Sequence, residues 1–456
     1  MYAFVAARRL QRWFTGEKHI KIIKRPQSEG CGFNIKFLSI HILMSPVSAF
    51  VKEIRMRIDL PKNVENIIDK LEENGFEGFA VGGCVRDSLL CRKPKDWDIT
   101  TNALPEEMKR IFKKTFDTGI AHGTITVLMD GEGYELTTYR IDGNYSDGRH
   151  PDSVSFSKSL SEDLCRRDFT INAMAYSHKK GIVDLYKGQE DLNSGIIRAV
   201  GDPNKRFDED ALRMLRAIRF SAQLGFEIEK DTFVAIKDKA SLLSNVSKER
   251  IFVELNKTLS GNFAENVKYI YSSGLYKYIG KEFAKLDESF YQFYKRDLGD
   301  EKHMYWTVFL QNVENINSVK KILSELKSDN ATKINTCLLI EELKLPLPKK
   351  DSDIRLSLHR LGTKLFEDYI KICKSDRKNV NILEEINDIE KRYEKIKEEN
   401  HAFDISMLDI TGKDLMELGI PKGPKIGEIL EELLKRVIEE PKMNNKELLL
   451  DIAKNE

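Results

Sequence analysis

No apolar run in this chain reaches the ~18 residues that a membrane-spanning helix needs, and no CxxC pair occurs among its six cysteines. Those cysteines, Cys31, Cys84, Cys91, Cys165, Cys337 and Cys373, are scattered without metal-ligand spacing. They read as reduced thiols of a cytosolic protein, which excludes a disulfide scaffold. The eight histidines are just as dispersed, with no HExxH segment and no His-Asp dyad, so zinc chemistry and an HD-type phosphohydrolase are disfavoured. An excess of either charge is lacking too: 74 Lys+Arg stand against 73 Asp+Glu. Net charge therefore argues neither for nor against a nucleic-acid partner, and the motifs must decide.

What remains is a chain of 456 residues, 41% hydrophobic and 32% charged, long enough for more than one domain with a real core. Residues 1–55 are basic, poor in acids and without clear periodicity; Arg8, Arg9 and Arg12 alternate with apolar residues as in a targeting segment. The alternative, favoured here, is that translation starts at Met56. From there, Pro61 to Glu73 reads as a helix with Val64, Ile67, Ile68 and Leu71 on one face. Short strands follow at Gly78–Val81 and Trp97–Thr100. Two more, Gly123–Met129 and Tyr134–Tyr139, are joined by the turn Asp130-Gly131-Glu132-Gly133. From Arg206 onward helical periodicity dominates, with proline breaks near Pro346 and Pro421. The charged run Asp388–Asn400 reads as a solvated helix face.

Several constellations carry chemistry. Val81-Gly82-Gly83-Cys84-Val85-Arg86-Asp87 is a strand that ends in two glycines and opens a helix. Backbone N–H groups there can approach phosphate oxygens, with Arg86 adding charge. Alone, it is also an ordinary strand–helix turn. Ten residues beyond Arg86 comes Asp96-Trp97-Asp98, which on a strand presents two carboxylates on one face. Such a pair repels unless a cation sits between, and Mg²⁺ ions shared with substrate phosphates are the usual resolution. Glu135, on the following hairpin, is placed for a third carboxylate; as an exposed strand residue it would mean nothing. Arg166-Arg167-Asp168, read as entering a small-residue helix with Asn172, would aim a guanidinium at phosphate or ribose with Asp168 holding it. Asp210 and Arg213, three apart, share a helix face that could match a base's Watson–Crick edge, and Arg216 continues it; alone they make a surface salt bridge.

The order of these pieces is itself informative. GGxVRD at 82–87, DxD at 96–98, HGT at 122–124, RRDFTINA at 166–173, GxxDL at 181–185 and EDxxRxxRxxRF at 209–220 follow one another. Ser247-Lys248-Glu249-Arg250-Ile251-Phe252-Val253-Glu254-Leu255 completes the set. Together they resemble the class II tRNA nucleotidyltransferases, the bacterial-type CCA-adding enzymes, from about Leu60 to Leu255 and more loosely beyond. The resemblance implies an α+β protein: a nucleotidyltransferase α/β head at 56–200, then an all-helical neck (201–262), body (263–380) and tRNA-binding tail (381–456). It implies Asp96 and Asp98 as ligands of two Mg²⁺ ions, with Glu135 as third catalytic carboxylate. Gly82, Gly83 and Arg86 would cradle the triphosphate, with Arg167, Asp168 and Asn172 at the nucleotide. Asp210 and Arg213 would read the base of ATP or CTP, supported by Glu209, with Arg216 and Arg219 on the nucleotide side.

The expected activity is template-independent addition of CCA to tRNA from CTP and ATP, in the cytoplasm, with no membrane partner. Related chains add only A, only CC, or poly(A). The Gly/Asp/Asn/Ser-rich segment Ile141–Asp152 reads as a mobile loop that CC-only enzymes are expected to lack. A non-catalytic RNA-binding relative would be expected to have lost a metal carboxylate, and both are present. The sequence leaves oligomeric state open.

Overall fold

In the computed structural model the described residues are 57–142, 154–293, 296–375 and 380–454. The expectations for residues 1–55, for a start at Met56 and for most of the loop at 141–152 lie outside them. The chain enters through α1 (Lys62–Glu73), whose Val64, Ile67, Ile68 and Leu71 are all buried, as the periodicity requires. Each such side chain contributes about 1.5–3 kcal/mol when withdrawn from water. Strand β1 (Gly78–Val81) follows, then α2 (Gly83–Leu89), β2 (Ile99–Thr101), α3 (Pro105–Ile111), β3 (Thr115–Gly119), β4 (Thr124–Met129) and β5 (Glu132–Thr138). A ribbon of β6 (Arg140–Asp142) and β7 (Val154–Phe156) leads into α4 (Leu160–Cys165), β8 (Met174–Ser177) and β9 (Gly181–Asp184).

Seven of these strands form one sheet in the order β3-β4-β5-β2-β1-β8-β9. The pairing of β2 with β5 is parallel, and the other pairings are antiparallel. Strand β1 is buried on both faces: Ala80 packs into the main core, while Phe79 and Val81 join Tyr139, Leu164 and Ala175 on the other side. That is why its sequence is continuously apolar rather than alternating. The β4–β5 hairpin closes on Asp130 and Gly131, at φ 50° and 84°. Both lie in the left-handed region that a two-residue hairpin turn with matching twist demands. The turn is thus two residues, shorter than the four-residue segment expected.

After α5 (Gly188–Ser194) and β10 (Ile196–Ile197) the chain turns helical, with α6 (Pro203–Glu209), α7 (Leu212–Leu224), a two-residue β11 (Glu227–Ile228), α8 (Lys230–Lys239) and α9 (Lys248–Leu259). Short helices α10 (Lys268–Ser272) and α11 (Tyr276–Ile279) precede α12 (Lys302–Leu310), α13 (Ile316–Glu325), α14 (Asn330–Leu343), α15 (Asp351–Ser375) and α16 (Val380–Glu398). Helix α15 is broken at Gly362, at φ 70°. In α16 the residues Ile386, Ile389, Tyr393 and Ile396 are buried and the charged residues lie mostly outside, as a solvated face predicts. One apolar core runs from Ile58 through Ile396. The last helices, α17 (Gly412–Glu417), α18 (Pro424–Glu439) and α19 (Lys446–Ala453), gather a second cluster from Ala402 to Ala453. The fold is therefore a mixed α/β unit followed by a predominantly helical remainder.

Candidate active site

Asp96 and Asp98 sit at the mouth of β2, and both are exposed. The strand begins at Ile99 rather than Trp97, so the carboxylates occupy the extended lead-in. Asp98 is already in the ladder, since its carbonyl accepts from the Val81 amide at 3.0 Å. The parallel register Ile99↔Leu136 puts Glu135 beside Asp98 on the neighbouring strand, and Glu135 is exposed as well. Although the Asp98 carboxyl is open to water, protein mass around it removes enough solvent to push it above the usual carboxylate range. Arg167 opposes that shift and Asp96 adds repulsion. Among the described residues no three His, Cys, Asp or Glu side chains gather as a metal cluster. The register leaves Glu135 exposed on the strand next to the pair. Two mutually repelling carboxylates still fit Mg²⁺, which takes one or two protein carboxylates and completes its shell with water and substrate phosphates.

Beside this edge lies the glycine turn. Gly82 has φ 82°, and a Cβ there would stand 3.0 Å from Arg167 Nη1. Any other residue would meet both backbone strain and the guanidinium. Gly83 opens α2. Arg86, on that helix, is buried and turned inward: Nη1 donates to Asn172 Oδ1 at 2.7 Å and Nε to Asp87 Oδ1 at 2.9 Å.

Arg166, Arg167 and Asp168 leave α4 and pass into a 3₁₀ turn at Thr170–Asn172, then β8. No small-residue helix follows them, contrary to the expectation: the segment makes a single 3₁₀ turn packed against α2 and α5 before it enters the sheet. Asp168 is a hub. Its Oδ1 accepts from Asn172 Nδ2 at 3.0 Å and the Phe169 amide at 2.8 Å; its Oδ2 accepts from Arg216 Nε at 2.9 Å and Nη2 at 2.5 Å. Burial alone would raise this carboxyl, but Arg216 and Asn172 hold it well below the usual range. A continuous chain Arg86–Asn172–Asp168–Arg216 thereby ties the glycine turn to α7. The ring of Phe220 backs it, with the guanidinium carbons of Arg86, Arg216 and Arg219 at 5.1, 5.5 and 4.2 Å from its centroid. Arg219 pairs with Glu254 at 3.1 Å, and burial pushes it down to about 10.

Asp210 and Arg213, expected on one helix face, are arranged otherwise. Asp210 is extended, at φ −147° and ψ 101°, and breaks α6 from α7, so it shares no helix face with Arg213. The short carboxylate competes with the helix and turns back on the chain, accepting from the Leu212 amide two residues on at 3.1 Å. Its other oxygen takes Arg250 Nη2 at 2.8 Å. Arg213 instead gives Nη1 to Glu209 Oε2 at 2.6 Å and Nη2 to the Arg166 carbonyl at 2.9 Å.

Three residues with no assigned role emerge. Asp163, fully buried, accepts from Arg166 at 2.6 Å and from Arg167 at 3.1 Å, and Thr100 of β2 donates to it at 3.3 Å. Its spacing to the two arginines, i to i+3 and i+4, is visible in the sequence. Arg206 lies three residues before Glu209, equally visible. Arg250 is 40 positions from Asp210, and nothing local announces it. Of the other motif residues, Asp184 caps α5 through the Gly188 and Gln189 amides at 2.7 and 2.9 Å. A Cβ at Gly188 would meet the Thr170 carbonyl at 2.3 Å, so this piece holds the sheet and the RRDFT segment together. Cys84 is buried and its thiol pushed up to about 12 by burial, and Cys91 is exposed.

An exposed carboxylate pair beside a glycine turn, with buried arginines behind both, defines the class: a nucleotidyltransferase. Residues 78–198 match the family described as "Poly A polymerase head domain", and residues 299–453 match that of tRNA nucleotidyltransferase domain 2. The CCA-adding enzyme of Ligilactobacillus salivarius is 40% identical over 399 residues, 85% of this chain and 95% of that one. That of Enterococcus faecalis is 37% identical, covering 87% and 96%. In structure, the chain is similar to a Bacillus stearothermophilus CCA-adding enzyme in complex with CTP. There the TM-score is 0.74 at 31% identity, covering 86% of this chain and 96% of that one. This chain belongs to the CCA-adding enzyme family of tRNA nucleotidyltransferases. Among the described residues no helix is long and apolar enough to cross a membrane.

Proposed function

We propose that this chain completes the 3′ end of tRNA with CCA, consuming CTP and ATP, releasing pyrophosphate and using no nucleic-acid template. The observation that carries the reading is the bonded chain from the glycine turn through Asn172 and Asp168 to Arg216 on α7. It supports a nucleotide lying with its phosphates at the sheet edge and its base against α6 and α7, where side chains rather than a template choose it. Asp96 and Asp98 would hold two Mg²⁺ ions. Bound there, the ions would activate the RNA 3′-hydroxyl and stabilise the leaving pyrophosphate.

The chain's own contribution is positioning. Gly82 and Gly83 leave room for the triphosphate, and Arg167, steered by Asp163, faces it. Arg86 and Asn172 act through the network, fixing the turn. Asp210 and Arg213, held by Arg250 and Glu209, read the base, with Arg216 and Arg219 behind. Glu135, on the next strand, is the third catalytic carboxylate in this reading. The head at 56–200, neck at 201–262, body at 263–380 and tail at 381–456 follow as working divisions. The separate apolar cluster from Ala402 onward supports a tail that packs around its own core, to which this reading gives tRNA binding. This reading puts its work in the cytoplasm.

The test is primer extension on three tRNAs, ending before CCA, after C and after CC, with Mg²⁺, CTP and ATP. Convergence on CCA is expected. A single A added only to the CC-ended tRNA would mean an A-adding enzyme, and a long A-ladder a poly(A) polymerase.

A further inference from the structure

We infer that Arg206 is a positioning residue for base selection. The inference rests on the reading of Arg213 as a base-contacting group. Arg206 stands on α6, across the Asp210 break from Arg213, and its side chain is 7% exposed. Three contacts join the two arginines. Arg206 Nη2 donates to Glu209 Oε1 at 2.6 Å, while Arg213 Nη1 donates to the other oxygen of the same carboxylate at 2.6 Å. Arg213 Nη1 also donates to the Arg206 carbonyl at 3.1 Å. The third link runs through the RRD segment: Arg206 Nη1 donates to the Cys165 carbonyl at 2.8 Å and Arg213 Nη2 to the next carbonyl, Arg166, at 2.9 Å.

One carboxylate is therefore shared between two guanidiniums, and both guanidiniums are pinned to consecutive carbonyls. The sharing matters because a carboxylate freed of one partner takes the other bidentately. Without Arg206, Glu209 draws Arg213 toward itself and away from the position in which it meets a base. Neither end of this clamp touches the acidic edge, so the reacting groups stay where they are. The consequence is confined to which nucleotide is accepted.

The test uses the full chain with CC-ended tRNA, and with tRNA ending before CCA, against CTP, ATP, UTP and GTP singly. R206Q is expected to raise KM for CTP and ATP about tenfold, with kcat changed less, and to increase UTP and GTP incorporation relative to them. R206K keeps the charge and one bond but cannot span both acceptors, so it retains the parent melting temperature and loses part of the selectivity. R206Q/E209Q is expected to discriminate no worse than E209Q alone, because Arg206 acts through Glu209. Equal loss with all four nucleotides, or parental selectivity in folded R206K and R206Q, overturns the inference. A wild-type control that adds neither C nor A overturns the functional reading, and with it this inference. Where the wild type is active, failure of the variants to shift selectivity counts against Arg206 alone.

Discussion

The acidic edge and the arginine network lie side by side and are built in opposite ways. Asp96 and Asp98 are exposed at the start of a strand, with the Asp98 carboxyl pushed upward. Asp168 and Asp163 are buried, each bound to arginine, and held downward. The difference follows from where each group's partner comes from. In the proposed reading the edge receives its counter-charge with the metal-bound substrate, so its carboxylates must stay open. In the proposed reading the network selects among substrates, so its geometry has to be fixed before one arrives, and only partners within the chain can fix it.

The comparison breaks most sharply at the edge. Asp96→Ala and Asp98→Ala should each lower CTP and ATP incorporation by about a thousandfold or more, with tRNA binding and melting temperature near the parent's. An exposed carboxylate with few internal bonds has little to do with stability. Turnover like the wild type would remove the metal assignment, and a large drop in melting temperature would erase the contrast with the network.

Asp168→Ala tests the other side. It leaves Arg216 with no carboxylate and Asn172 without its acceptor, and breaking a buried pair from one side costs about 3–5 kcal/mol. Activity and stability should fall together, measured by denaturant unfolding alongside extension assays. Asp210→Ala belongs between the two regions: it frees Arg250 and unsettles the α6–α7 break. Relaxed choice among the four nucleotides is expected, and an unchanged preference would mean the base is read elsewhere.

Gly82→Ala joins the two regions at one atom. The added methyl faces φ 82° and stands 3.0 Å from Arg167 Nη1. Strain of this kind costs about 1–3 kcal/mol. A rise in KM for both nucleotides without altered selectivity is the expected signature, since the methyl displaces Arg167 and leaves Arg213 alone.

Much of the fold and the site is legible in the sequence, and the reasons differ by residue. The amphipathic face of α1, the apolar β1 and the Asp130-Gly131 hairpin are local patterns, and local patterns are written in adjacent residues. The DxD lead-in reads as strand two residues too early, because Trp97 and Asp98 carry strand-like spacing without being the strand. Asp210 and Arg213 read as one helix face because their spacing permits it. The carboxylate instead turns back on the chain, an outcome supported by Arg250, 40 positions away. Asp163 and Arg206 are within reach of an i, i+3 pattern. Their meaning is not, because it lies in which backbone carbonyls and strands they touch after folding.

The smallest effect expected is on pH dependence, and it belongs to the network. Asp163 and Asp168 have folded values below the unfolded carboxylate value of about 3.9, so their contribution to stability is complete above that value. It is lost only as pH falls below about 4 and through the depressed folded values, where the unfolded chain has bound protons that the native one has not. Stability from Asp163 and Asp168 should therefore stay flat between about pH 8 and about pH 5 and fall only in more acidic solution. Urea midpoints taken across this pH range measure it. In Asp168→Asn the fall of stability below about pH 4 should be shallower than in the parent, because one of the depressed carboxyls is gone. An acid limb as steep as the parent's would mean that Asp168 is not one of the groups whose protonation unfolds the chain.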